Sequence, residues 1–109
     1  MKNLIKLIKQ KKANISIIGL GYVGLPLAIK FSKLGFNVYG YETDKQKISS
    51  LNKNVIYVDT IKKRDFIKVK DKKFKFGDNF NQLSNSNIYI ICVPTPITKN
   101  KSPDMRFLN

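Results

Sequence analysis

Three glycines, Gly19, Gly21 and Gly24, stand in G-x-G-x-x-G spacing, and an acidic side chain, Glu42, follows eighteen residues after the last. Such a set holds phosphate and sugar. Gly19 permits a tight turn, and Gly21 removes a side chain where a pyrophosphate must approach. Gly24 lets a helix pack closely on a sheet. Unpaired N–H groups at that helix start would face the phosphates, and the helix macrodipole favours their negative charge. A carboxylate at Glu42 would accept hydrogen bonds from an adenosine ribose and repel a 2′-phosphate, which favours NAD over NADP. The competing role for Glu42 is a cap on a helix starting near Asp44. A triphosphate P-loop needs Lys directly after the second glycine of its motif. Leu25 follows Gly24, so that chemistry is excluded.

The glycine pattern has meaning only between a strand and a helix. Asn14 to Ile18 (NISII) is mostly apolar and β-branched, as a buried parallel strand should be. Tyr22 to Leu34 has helical periodicity, with Pro26 near its first turn, and Val23, Leu27, Phe31 and Leu34 form the stripe expected to cover the sheet. Phe36 to Tyr41 reads as a second strand that delivers Glu42. Asp44 can cap a second helix, Lys45 to Asn52, with Ile48 and Leu51 inward. A loop, a short helix near Ile61 to Ile67, a third strand at Phe74 to Phe76 and a brief crossover at Asn79 to Ser84 follow. Ile88 to Val93 (IYIICV) is a fourth, strongly apolar strand. Pro94-Thr95-Pro96 ends it in a rigid extended loop. In an open parallel sheet, ligands sit beyond the carboxyl ends of the strands at the switch point. Thr95 should therefore face the same crevice as Gly21 to Val23, unless the prolines serve only to terminate the strand.

The chain has 109 residues, 42% hydrophobic, enough for one small folded domain. Its 21 basic and 7 acidic residues give a net charge of +14, which raises the question of an anionic partner. Phe66, Phe74 and Phe76 interleave with lysines between Lys62 and Phe76, where they are either a stacking surface or the apolar side of short elements. Lys, Asn and Ile are abundant throughout, and any nucleic-acid binding is expected to be non-specific. Met1 to Lys12 forms a basic amphipathic helix with Leu4, Leu7 and Ile8 on one face. It is expected to dock beside the first strand, the alternative being a membrane surface. The single cysteine, Cys92, rules out an internal disulfide and fits a reducing cytoplasm. With no histidine, a Cys/His zinc site is excluded, so no metal residues are expected. No apolar run is long enough to span a membrane.

With GLGYVGLPLA, the Glu42 strand end and ICVPTP in hand, the chain resembles the amino-terminal NAD-binding domain of the UDP-glucose/GDP-mannose dehydrogenase family. The likeness runs from about Ile15 to Leu108, and VPTPI followed by Pro103-Asp104 looks most like the branch acting on UDP-N-acetylhexosamines. The branch acting on UDP-glucose is the alternative. The resemblance implies that Gly19, Leu20, Gly21, Tyr22, Val23 and Gly24 form the phosphate loop and Glu42 the ribose acceptor. It places Lys47 by the adenosine half of the cofactor, and Val93 and Thr95 beside the nicotinamide half. Family members usually carry Asp where this chain has Glu42.

The resemblance further implies an NAD-dependent oxidoreductase that converts a sugar C6 alcohol to a carboxylate, supplying polysaccharide synthesis. The family's catalytic cysteine lies far downstream in a glycine-rich motif, and Cys92 is not that nucleophile. No catalytic residue is therefore expected among these 109 residues, and the chain alone should be inactive, either as part of an enzyme or as a remnant or basic binding module. The expected fold is an α/β Rossmann-type parallel sheet of order 3-2-1-4, with residues 1–12 as a lead-in and 13–109 as an incomplete NAD-binding domain. The fourth strand would be an unpaired edge inviting self-association.

Overall fold

A computed structural model describes residues 2–93, leaving out the side chains of residues 2, 3 and 7. The elements run α1 (Lys2–Lys9), β1 (Asn14–Ile18), α2 (Gly24–Lys33), β2 (Asn37–Tyr41), α3 (Lys45–Asn52), α4 (Lys63–Val69), β3 (Phe74–Gly77), a 3-10 turn (Phe80–Asn85) and β4 (Ile88–Ile91). The four strands form one parallel sheet in the order β3-β2-β1-β4. This is the Rossmann-type arrangement. Chain direction reverses its spread at β1: β2 and β3 lie on one side, and the chain then crosses to β4 on the other.

Register sets which side chains meet. Ile15 pairs with Val38 and Ile88, and Ile17 with Gly40 and Ile90, so one face of the sheet carries these apolar residues. Ile15, Ile17, Val38 and Phe74 are buried there, beneath Leu25, Ala28 and Ile29 of α2 and Phe66 of α4. Burying each such side chain fully contributes roughly 1.5–3 kcal/mol relative to leaving it in water. Phe66 and Phe74 meet edge to face at 6.2 Å, with Phe76 packed against both. The aromatics between the lysines are therefore core residues and offer no stacking platform. Lys33 reaches Asp65 at 3.3 Å, tying α2 to α4.

The helical stripe differs from the one its periodicity suggested. Leu25, Ala28, Ile29 and Ser32 are buried, whereas Val23 and Leu34 are exposed and Leu27 and Phe31 only partly covered. The cause is twofold. The helix begins at Gly24, which leaves Val23 on the loop, and Phe31 leans sideways onto Phe36 at 6.0 Å. Of the apolar residues of α1 expected to dock beside β1, Leu4 is half-buried, and Ile8 and the flanking Ile5 are 39% and 47% exposed. β4 ends at Ile91, two residues short of its expected length.

The second face of the sheet is sparsely covered. Ser16 is buried there and its hydroxyl meets that of Ser86, yet Tyr89 and Ile91 are 48% and 69% exposed. The 3-10 turn packs against β2, and its Leu83 carbonyl accepts from the Tyr89 hydroxyl of β4. Tyr41 meets Phe80 edge to face at 6.0 Å. Pro94, Thr95 and Pro96, with the Pro103-Asp104 pair, lie outside the described residues.

Candidate nucleotide site

The site begins where β1 ends. Gly19 has φ +100°, a left-handed conformation that side chains disfavour, and its N–H donates to the Tyr41 carbonyl at 2.8 Å. The turn is close-fitting: a Cβ on Gly19 would sit 3.0 Å from the carbonyl carbon and oxygen of Cys92. α2 then starts at Gly24, where a Cβ would lie 1.7 Å from the Gly19 carbonyl oxygen. Gly21 is different. Its φ is not positive, and a Cβ there would approach only the Lys47 Nζ, at 3.9 Å. The fold requires glycine at 19 and 24, whereas at 21 the open space is what the residue preserves.

Glycine spacing turns this loop into a set of donors. The N–H groups of Gly21, Tyr22, Val23 and Gly24 make no hydrogen bond among the described residues. Val23, the N-cap of α2, provides no side-chain cap, and Pro26 has no N–H to lose. Consecutive free N–H groups at a helix start attract an anion, and the dipole adds to the attraction.

Glu42 follows β2 and is 8% exposed. Its Oε1 accepts the Leu20 N–H and its Oε2 the Asp44 N–H, both at 2.9 Å. One carboxylate thus joins the glycine loop to the start of α3. Asp44, not Glu42, is the N-cap of that helix, its Oδ1 accepting the Gln46 N–H at 2.9 Å. Lys47, one turn into α3, brings Nζ to 4.0 Å from the Glu42 Oε1. A cation therefore hangs over Gly21 beside a carboxylate, which suits a ligand carrying phosphate and a sugar hydroxyl.

A crevice opens beyond the carboxyl ends of β1, β2 and β4, lined by Gly19, Gly21, Tyr22, Val23, Glu42, Thr43, Lys47, Ile91, Cys92 and Val93. Tyr22, Val23, Ile91 and Val93 are 79%, 62%, 69% and 56% exposed, an apolar rim beside polar donors. Most of the residues singled out from sequence converge here; Leu20 lies buried beneath the loop, and Thr95 is outside the described residues. Thr43 also lines the crevice and Tyr57 lines a neighbouring hollow behind the loop, and neither gives a signal in the sequence. The Tyr57 hydroxyl donates to the Leu20 carbonyl at 2.5 Å, from a loop without regular periodicity. Partial burial raises the Cys92 thiol above its ordinary range. No group of three His, Cys, Asp or Glu among the described residues could hold a metal ion, and no described helix is long and apolar enough to cross a membrane.

A parallel sheet of this order, a glycine turn feeding a helix and a crevice at the switch point define a dinucleotide-binding α/β domain. The family pattern of the UDP-glucose/GDP-mannose dehydrogenases, NAD binding domain, matches residues 13–109. The chain belongs to that family, and NAD is the cofactor of the domain. It is 36% identical over 96 residues to a UDP-N-acetyl-D-mannosamine dehydrogenase of Pyrococcus horikoshii, covering 86% of this chain and 23% of that protein. A UDP-N-acetyl-D-glucosamine 6-dehydrogenase of Salmonella typhi is 38% identical, covering 86% and 21%. A UDP-glucose 6-dehydrogenase of Rickettsia felis is 34% identical, covering 87% and 22%. Among solved structures, the UDP-N-acetyl-mannosamine dehydrogenase Cap5O from Staphylococcus aureus superposes with a TM-score of 0.72 at 29% identity, over 88% of this chain and 24% of that one. The chain spans less than a quarter of the length of these relatives.

Proposed function

We propose that the chain is the NAD-binding part of a nucleotide-sugar 6-dehydrogenase that oxidises the C6 alcohol of a UDP-N-acetylhexosamine to the uronate. The observation that carries this reading is the row of N–H groups from Gly21 to Gly24, free among the described residues, beside a crevice that Gly21, Tyr22, Val23, Glu42 and Lys47 line. The N–H row would hold the pyrophosphate, with Lys47 adding charge. Glu42 would accept from the adenosine ribose through the lone pairs left beside its two backbone bonds. Val93 and Thr95 would lie along the nicotinamide half. NAD, when bound, supplies the hydride acceptor. The chain's own residues would bind and orient it, and Cys92 would take no part in the chemistry.

The sugar is proposed from the relatives acting on UDP-N-acetyl-D-mannosamine and UDP-N-acetyl-D-glucosamine. A UDP-glucose substrate is the second reading, favoured by the Rickettsia relative. On either reading the enzyme works in the cytoplasm, supplies acidic sugars for polysaccharide synthesis, and has no sequence-specific nucleic-acid partner. The exposed Tyr89 and Ile91 would be covered by further chain or by a second copy.

Calorimetric titration tests the cofactor reading. A 2′-phosphate would have to sit against the Glu42 carboxylate, so NAD is expected to bind about tenfold more tightly than NADP, or better. Equal affinities would contradict the assignment.

A further inference from the structure

The Leu20 peptide groups are held from two directions by residues far apart in sequence. Glu42 takes the N–H of Leu20 at 2.9 Å, and the Tyr57 hydroxyl takes its C=O at 2.5 Å. Leu20 itself is fully buried. Its carbonyl belongs to the same planar peptide as the Gly21 N–H, and in a trans peptide the two point in opposite directions. Whatever fixes the carbonyl therefore fixes where Gly21 aims its proton. Tyr57 stands on one side of that peptide, in a hollow lined also by Gly21, Tyr22, Asp44 and Lys47.

We propose that Tyr57 is a positioning residue for dinucleotide binding, its hydroxyl locking the Leu20–Gly21 peptide so that the Gly21 N–H points at the pyrophosphate. The inference rests on the NAD-site reading above and adds a residue that the glycine motif does not contain. Three features suit Tyr57 to the task. Its neighbour Val58 is 2% exposed and anchors the loop in the core, so the ring has a fixed base. Burial, then the nearby Glu42 and Asp44 carboxylates, push its phenol well above the ordinary tyrosine value, so it remains a neutral donor. The Tyr57 hydroxyl adds a restraint at the carbonyl where Gly21, lacking a side chain, adds none of its own.

The test is Tyr57→Phe, which keeps the ring and removes the donor, with affinities for NAD, ADP and adenosine compared in the 109-residue chain. Loss of one neutral hydrogen bond at a positioned group should weaken NAD and ADP by about fivefold. Adenosine, which has no phosphate, should bind as before; a merely structural role would weaken all three alike. Unchanged NAD affinity in the variant, or an equal loss for adenosine, overturns the proposal. Failure of the unmodified chain to bind NAD overturns instead the reading on which it rests. Should the variant not melt cooperatively, 15N relaxation of the unmodified, ligand-free chain decides. A Gly21 order parameter near the rigid-backbone value of about 0.85 supports the lock, and one below about 0.6 refutes it.

Discussion

Gly24→Ala is expected to abolish the cooperative thermal melt of the chain, or to lower its stability by about 4 kcal/mol or more. The added methyl would lie 1.7 Å from the Gly19 carbonyl oxygen and 2.9 Å from its carbon. Both are backbone atoms, so no rotamer change relieves the overlap. Separation requires α2 to move off β1, which would uncover Leu25 and Ala28, both fully buried. The Gly19 turn cannot retreat either, since its other side rests on the backbone of Cys92 and Val93. Circular dichroism on heating measures the effect. A melt superimposable on that of the parent chain would show that the turn and helix are not packed as described.

Gly21→Ala should do the reverse. A Cβ at this position meets nothing closer than Lys47 Nζ at 3.9 Å, and the backbone does not need a positive φ. Stability should therefore change by no more than about 0.5 kcal/mol, the range of substitutions away from packed features. NAD affinity should fall by about tenfold or more, because the methyl occupies space through which the pyrophosphate must approach the N–H row. Calorimetry and a thermal melt on the same preparation separate the two quantities. If NAD binding survives the methyl unchanged, the pyrophosphate does not lie over Gly21. Together the two alanines would divide the motif, with Gly24 serving the fold and Gly21 the ligand.

The tight packing at Gly19 and Gly24 is legible in the glycine spacing, because a strand followed by G-x-G-x-x-G and an apolar helix leaves few ways to turn. β1 and α3 have the bounds their sequence suggested, since NISII is uniformly apolar apart from Asn14 and Ser16 and Asp44 is an unambiguous cap. The buried face of α2 was not legible. Val23, Leu27, Phe31 and Leu34 make a regular stripe, but tertiary packing selects Leu25, Ala28, Ile29 and Ser32 instead. Small residues such as Ala28 and Ser32 carry little hydrophobic signal, yet they are what a helix pressed onto a sheet can bury.

Glu42 shows a second limit of sequence reading. Its place at the end of β2 was evident from the pattern, but its two backbone hydrogen bonds were not, because they depend on where Leu20 and Asp44 fall in space. Tyr57 was wholly hidden, standing on an irregular loop 37 residues from its partner with α2, β2 and α3 between them. The lysine excess has a partly structural explanation. Lys70 donates to the Leu51 and Asn52 carbonyls at 3.0 and 3.1 Å and to the Asn54 side chain at 2.8 Å, closing the end of α3. Others, including Lys72, Lys73 and Lys75, line a hollow near the amino ends of the strands, away from the glycine loop.

That second basic hollow decides which measurement is most direct. NAD is an anion, and a chain of charge +14 could attract it anywhere. Titration of the 15N-labelled chain with NAD, followed amide by amide at physiological salt, locates the binding. Saturable shifts should concentrate at Gly21, Tyr22, Val23 and Gly24 and at Glu42 to Lys47, with Lys72 and Lys73 unmoved. Shifts confined to Lys72, Lys73 and Lys75, or no saturable shift at the glycine loop, would contradict the assignment of this crevice as the NAD site.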